Sequence, residues 1–171
     1  MTATGHTAFI GFGANLGDKN AHLRAALAAM DSWEHTAITG QSALYRTAPV
    51  GYADQDWFLN MAVRVRTHLA PAELLAALQK VERSEGRDRS GPRFGPRTLD
   101  LDILLFGDQI LETDSLVIPH PRMDKRRFVL QPLCDIDPTV CHPVLGVAVQ
   151  DLLARLDPAE QPVERMESEL F

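Results

Sequence analysis

The sequence predicts an α+β fold with one mostly antiparallel sheet and helices packed on one of its faces. Three observations carry this. Segments of β-rich or alternating character and segments of helical periodicity follow one another in the order β-α-β-β-α-β. Gly or Pro closes most of these segments. A length of 171 residues and an apolar fraction of 45% suit one hydrophobic core of ordinary size.

The first strand reads from residues 7–12, a short apolar run followed by Gly13. Ala14-Asn15-Leu16-Gly17-Asp18 then forms a turn whose last residue suits a helix N-cap. Over 20–33, Leu23, Ala26, Leu27 and Met30 recur at helical spacing. A second strand fits 37–46, and residues 47–56 make a loop rich in Pro, Gly and Asp. In the third strand, 57–67, Leu59, Met61, Val63 and Val65 take one face while Phe58, Asn60, Ala62 and Arg64 take the other. Pro71 sits in the first turn of a second helix. Its apolar face is Leu74, Leu75, Leu78 and Val81, and it ends near Gly86. A loop of Gly, Pro and Arg leads to Pro96, and the fourth strand covers 98–106 before Gly107. This order is the split βαβ, or ferredoxin-like, βαββαβ arrangement. C-terminal additions follow: short elements and loops to Pro138, then a helix near 149–156. One domain is expected over 1–157. Residues 158–171 are expected to form an acidic, flexible tail with no core face.

Charge and cysteine content narrow the function. With 17 Lys and Arg against 23 Asp and Glu, the net charge is −6. That argues against a chain whose whole surface binds nucleic acid, and leaves room for a local basic site. Cys134 and Cys141 match no common zinc or redox spacing and read as free thiols. No secretory signal is visible, and no run approaches the ~18 apolar residues of a membrane span. A cytoplasmic protein with no membrane partner is expected.

Asp100 and Asp102, in Arg97-Thr98-Leu99-Asp100-Leu101-Asp102-Ile103, fall on one face of the fourth strand, about 7 Å apart by strand rise. Leu101, Ile103 and Leu105 fall on the other, toward the helices. Two carboxylates so placed suit a hard divalent cation, since Mg²⁺ commonly takes one or two carboxylates plus substrate phosphates. Taken alone, the pair equally suits two solvent-facing aspartates. The preceding loop adds weight. Arg83, Arg87, Arg89, Arg93 and Arg97 fall in a window with only Glu85 and Asp88 as acids. Guanidinium forks bind phosphate bidentately, and metal with arginine fits phosphoryl transfer. Gly86, Gly91, Pro92, Gly95 and Pro96 give that loop the character of a lid. A solvated basic loop remains the plainer alternative. His120, between Pro119 and Pro121 and ahead of Lys125, Arg126 and Arg127, suits a structural role or a phosphate contact. Asn60 and Phe58 share a strand face; taken alone the pair suits a strand end with ordinary polar exposure better, and it also suits a flat heterocycle bonded on its edge and stacked on its ring. Gly11-Phe12-Gly13-Ala14-Asn15-Leu16-Gly17 is neither a dinucleotide nor a P-loop fingerprint, and reads as a tight strand-to-helix turn.

In combination, Phe12-Gly13-Ala14-Asn15-Leu16-Gly17, Tyr45-Arg46-Thr47-Ala48-Pro49, Phe58-Leu59-Asn60, Gly95-Pro96-Arg97-Thr98-Leu99-Asp100-Leu101-Asp102-Ile103 and Ile118-Pro119-His120-Pro121 resemble the folate-pathway family of 6-hydroxymethyl-7,8-dihydropterin pyrophosphokinases, over about residues 8–138. The resemblance implies the ferredoxin-like fold and transfer of a pyrophosphoryl group from ATP to the pterin hydroxymethyl oxygen, releasing AMP. It implies that Asp100 and Asp102 hold two Mg²⁺ ions and that Arg87 and Arg97 are catalytic. It assigns ATP contacts to Gln79, Glu82, Arg89, Phe94, Arg97, Ile103, His120 and Arg126. It assigns the pterin pocket to Thr47, Pro49, Val50, Phe58, Asn60 and Phe128, with the two Phe rings sandwiching the pterin. Phe94 stands where a Trp is common, and Ser115 and Val117 stand where some relatives have Arg and Thr. The expected partners are ATP and the pterin, and a monomer is expected. A ferredoxin-like binding module and a different Mg-nucleotide enzyme are the competing readings; a conventional kinase would release ADP instead of AMP.

Overall fold

The computed structural model describes residues 4–48, 56–86 and 98–167. Its centre is β1 (His6–Ala14), which pairs antiparallel with β4 (Phe58–Thr67) on one side and β5 (Asp100–Phe106) on the other. β2 (Thr36–Gln41) and β3 (Tyr45–Thr47) both pair antiparallel with β4. The two crossovers are α1 (Lys19–Asp31) and α2 (Pro71–Ser84). This is the ferredoxin-like strand order that the sequence predicts. β1 runs two residues beyond its expected end, so Gly13 is a strand residue and not the start of the turn.

Local chemistry explains the two crossover helices. Gly17 takes φ 73° in the turn before α1, and Asp18 caps the helix by accepting from the Ala21 N–H at 3.1 Å. Leu23, Ala26, Leu27 and Met30 then bury one stripe. In α2, Pro71 opens the first turn, and Glu73 reaches back to accept from the Ala70 N–H at 2.9 Å. Leu74, Leu78 and Val81 complete the core between these helices and the sheet face carrying Ile10, Phe12, Met61, Val63, Leu101 and Ile103.

Four expectations are corrected. The second strand is broken into β2 and β3. Ser42 lies between them, its N–H donating to the Ala62 carbonyl and its Oγ accepting from the Ala62 N–H, so a hydroxyl stands in for a main-chain carbonyl in the ladder. Second, Leu105 does not face α1 and α2. Phe9 pairs Leu105 and Ile10 pairs Ile103, which leaves Leu104 as a bulge residue and turns Leu105 to the opposite face. Third, that face is not bare: α3 (Arg127–Ile136) and α4 (Val149–Ala154) cover it, with Leu130, Leu133, Val149 and Leu152 packed on Phe9, Ala62, Leu104 and Leu105. The molecule therefore has helices on both sheet faces. Fourth, residues 158–167 are not a structureless tail: β8 (Val163–Arg165) pairs antiparallel with β3, and Met166 packs against the core. A small hairpin of β6 (Leu111–Glu112) and β7 (Val117–Ile118) completes the chain. Among the described residues, no helix is long and apolar enough to cross a membrane.

Candidate active site

The cleft lies on the sheet face opposite α1 and α2, and the first turn of α3 lines it with Phe128 and Val129. Register places its floor. On β1, Gly13 pairs Asn60 on one side and Asp100 on the other; Gly11 pairs Ala62 and Asp102. All six residues line the cleft, with Thr47, Phe58, His120, Arg126 and Phe128 on its walls. The two glycines keep the floor clear. A Cβ on Gly13 would come within 3.1 Å of Asn60 Nδ2, and one on Gly11 within 3.3 Å of Leu104 Cδ1. The signal for this was present in the sequence: glycine at alternate positions of a strand marks a close approach.

The carboxylate pair emerges as the alternation requires. Asp100 and Asp102 are half-buried on the cleft face, and Leu101 between them points into the core. Glu82 on α2 is 2% exposed, and its Oε2 accepts from the Leu101 N–H at 2.9 Å. This bond clips the main chain between the two aspartates to the helix behind it. Among the described residues no group of three or more His, Cys, Asp or Glu could hold a metal ion. The pair still fits Mg²⁺, whose usual protein donors are one or two carboxylates, the other positions going to phosphates and water.

The opposite wall combines a buried amide with aromatic rings. Thr47 Oγ1 donates to Asn60 Oδ1 at 2.6 Å, and both residues are buried. Asn60 Nδ2 lies 3.5 Å from the Phe12 carbonyl, at the limit of a hydrogen bond. The threonine thus fixes the amide, whose second N–H and second oxygen lone pair are not engaged by these two bonds. Phe58 and Phe128 line the same end, and the Arg126 guanidinium sits 5.4 Å from the centroid of Phe128. α3 brings Phe128 into place and is anchored to the sheet by Asp135. That carboxylate accepts from Tyr45 Oη at 2.8 and 2.9 Å and from the Ala43 N–H at 3.0 Å. Burial, then the Asp135 contact, push the Tyr45 hydroxyl up to about 12.

His120 is held at both ends. Its N–H donates to the Leu104 carbonyl at 3.0 Å, and its Nδ1 accepts from the Arg122 N–H at 3.2 Å. Acceptance at Nδ1 leaves the ring proton on Nε2. Burial, with the Arg126 and Arg122 charges added, lowers its pKa to about 4, against a weaker opposing pull from Asp100. The ring is therefore a neutral donor at physiological pH, and Arg126 supplies the charge beside it. Of the four cations that follow His120, Arg122, Lys125, Arg126 and Arg127, only Arg126 lines the cleft; Lys125 is exposed and Arg127 is bonded to Gln161.

Three residues assigned to ATP do not line this cleft with their side chains. Ile103 is 3% exposed in the core, so its side chain is turned away from the cleft and only its main chain is available there. Gln79 is half-buried on α2, and Glu82 is engaged with Leu101; neither lines the cleft. Pro49, Val50, Arg87, Arg89, Phe94 and Arg97 lie outside the described residues.

Residues 9–138 match the family model described as 7,8-dihydro-6-hydroxymethylpterin-pyrophosphokinase (HPPK). A Bacillus subtilis protein named 2-amino-4-hydroxy-6-hydroxymethyldihydropteridine pyrophosphokinase is 50% identical over 129 residues, 75% of this chain and 77% of that one. A Pseudomonas aeruginosa protein of the same name is 44% identical over 146 residues, 85% and 89% of the two chains. The mitochondrial folate synthesis bifunctional protein of Arabidopsis thaliana is 46% identical over 136 residues, 80% of this chain and 24% of that longer one. Among solved structures, a Plasmodium falciparum HPPK-DHPS with pterin and p-hydroxybenzoate superposes with a TM-score of 0.68 at 18% identity, over 91% of this chain and 42% of that one. That last likeness is one of fold.

Proposed function

The chain belongs to the 7,8-dihydro-6-hydroxymethylpterin pyrophosphokinase family, and we propose that ATP is its donor and two Mg²⁺ ions its resident cations. As a pyrophosphokinase of folate biosynthesis it transfers a pyrophosphoryl group to 6-hydroxymethyl-7,8-dihydropterin. The observation that carries the finer reading is the pairing of Gly13 with Asp100 on one side and Asn60 on the other. A ring edge held by Asn60 thereby has its substituent directed across a side-chain-free floor toward the carboxylates.

In this reading Phe58 and Phe128 stack the pterin, while Asn60, oriented by Thr47, bonds its pyrimidine edge. Pro49 and Val50 complete that pocket. His120 Nε2–H and Arg126 donate to the phosphates, and Arg87, Arg89, Phe94 and Arg97 bind or neutralise the nucleotide from the Arg-rich loop. The hydroxymethyl oxygen attacks the β-phosphorus of ATP and loses its proton. The bond from that phosphorus to the α-phosphate oxygen breaks, and AMP leaves. Asp100 and Asp102 hold the cations. The chemistry these supply when bound is neutralisation of phosphate charge and a lowered pKa for the attacking hydroxyl. Positioning and charge stabilisation are what such a transfer needs. A cytoplasmic monomer without nucleic-acid or membrane partners is the accompanying reading, supported by the net charge of −6 and by exposed apolar residues that are scattered along the chain.

The test is chromatography of nucleotides after incubation with ATP, Mg²⁺ and the pterin. AMP formed only when the pterin is present supports the reading. ADP would indicate a conventional kinase, and no nucleotide turnover by folded protein would reject the assignment of ATP.

A further inference from the structure

We propose that residues 157–167 form a strap that fixes the two walls of the cleft relative to one another, with Gln161 as its positioning residue. Gln161 makes three hydrogen bonds to one wall. Its Oε1 accepts from the Arg127 N–H at 2.9 Å, its carbonyl accepts from Arg127 Nη1 at 2.7 Å, and its Nε2 donates to the Lys125 carbonyl at 3.0 Å. These bonds bracket Arg126 and lead into Phe128, both of which line the cleft.

Two residues later the same segment grips the other wall. Val163 pairs with Thr47, Glu164 with Arg46 and Arg165 with Tyr45, and the Met166 N–H donates to the Leu44 carbonyl at 2.8 Å. Thr47 is the residue that orients Asn60. Only Pro162 separates the two grips, and its ring holds φ near −65°. A shift of one wall is therefore carried to the other through one stiff residue.

The strap's chemistry is that of positioning more than of core building. Most of residues 157–167 are exposed, and their bonds are polar and largely to main chain. None of them lines the cleft. The strap also lies beyond the residues 9–138 that the family model matches. β3 has only three residues, and without β8 its outer edge would be open.

The proposal rests on the reading that Phe58, Asn60 and Phe128 hold the pterin. It is tested in the full chain with Gln161→Met, which keeps side-chain length and removes both side-chain hydrogen bonds. Three readouts are needed: amide exchange in the free protein, the pterin Kd and KM beside kcat, and the Tm. The strap requires faster exchange at Arg127 and also in β3 and β8. It further requires a pterin Kd and KM raised between about twofold and tenfold, the range for losing a modest hydrogen bond or two, with kcat and Tm little changed. Faster exchange confined to residues 125–127, or an unchanged pterin affinity, overturns it. So does a fall in kcat and Tm together. A wild-type chain that binds no pterin would instead overturn the reading of the pocket, while exchange in β3 and β8 still decides whether the strap couples the walls.

Discussion

Glu82 accepts the main-chain N–H of Leu101 at 2.9 Å from a position only 2% exposed, and Leu101 stands between the two cleft aspartates. The carboxylate is thus placed to set where Asp100 and Asp102 stand. Glu82→Ala leaves the Leu101 N–H buried without this acceptor, at a cost of about 1–3 kcal/mol. The expected result is a lower Tm with a lower kcat, and recovery of both in Glu82→Gln, which keeps a side-chain oxygen. A rise in the KM for ATP with the Tm unchanged would instead make Glu82 a nucleotide contact.

Asp102→Asn removes a charge from the cleft and no side chain from the core. Turnover should fall by about 10²–10³-fold, the scale of losing a charge-stabilising group. Far-UV circular dichroism and Tm should stay at wild-type values. Near-normal turnover would remove Asp102 from the cation site.

Thr47→Val tests whether the hydroxyl orients Asn60. The substitution keeps the shape and removes the 2.6 Å hydrogen bond. Pterin affinity, read by fluorescence titration, should weaken by about tenfold, equivalent to about 1.4 kcal/mol. ATP affinity should not change, because Thr47 lies on the wall away from the aspartates.

Gly13→Ala is expected to fold, since Gly13 lies within β1 and is not among the positive-φ glycines. Its new Cβ would sit 3.1 Å from Asn60 Nδ2, so the amide must move by a few tenths of an ångström. The pterin KM should rise more than the KM for ATP. Equal effects on both would mean that the floor serves the fold and not the ring.

Much of this arrangement is legible in the sequence. Alternation over 57–67 puts Phe58 and Asn60 on the face opposite Leu59 and Met61, and the same rule separates Asp100 and Asp102 from Leu101 and Ile103. That rule also turns the Ile103 side chain into the core. α3 was not legible, because Pro132 stands inside it and Pro119, Pro121 and Pro138 flank it, all of which read as breakers. Pro132 cannot donate within the helix, yet its ring is buried, and Leu130 and Leu133 beside it lie in the core of that face. The Leu104 bulge and the pairing of β8 with β3 were hidden for a different reason. Both are set by partners distant in sequence, and a single strand's pattern carries no register.

His120 gives the chain a pH dependence whose sign is fixed by its lowered pKa. The unfolded ring takes up its proton near pH 6.5, while the folded ring resists until about pH 4. Between these values the unfolded state binds more protons, so stability rises with pH across the window and is lost as pH falls through it. Above pH 6.5 the contribution is fully present. At pH 5 the lag of about 1.5 pH units corresponds to about 2 kcal/mol of lost stability from this group. His120→Gln removes the titration and keeps a hydrogen-bonding side chain. Urea unfolding of both proteins at pH 7 and pH 5 should show a smaller drop in the variant, by about that amount. An equal drop in both would mean that the ring is charged in the folded protein at pH 5. Its role beside Arg126 would then be that of a second cation and not of a neutral donor.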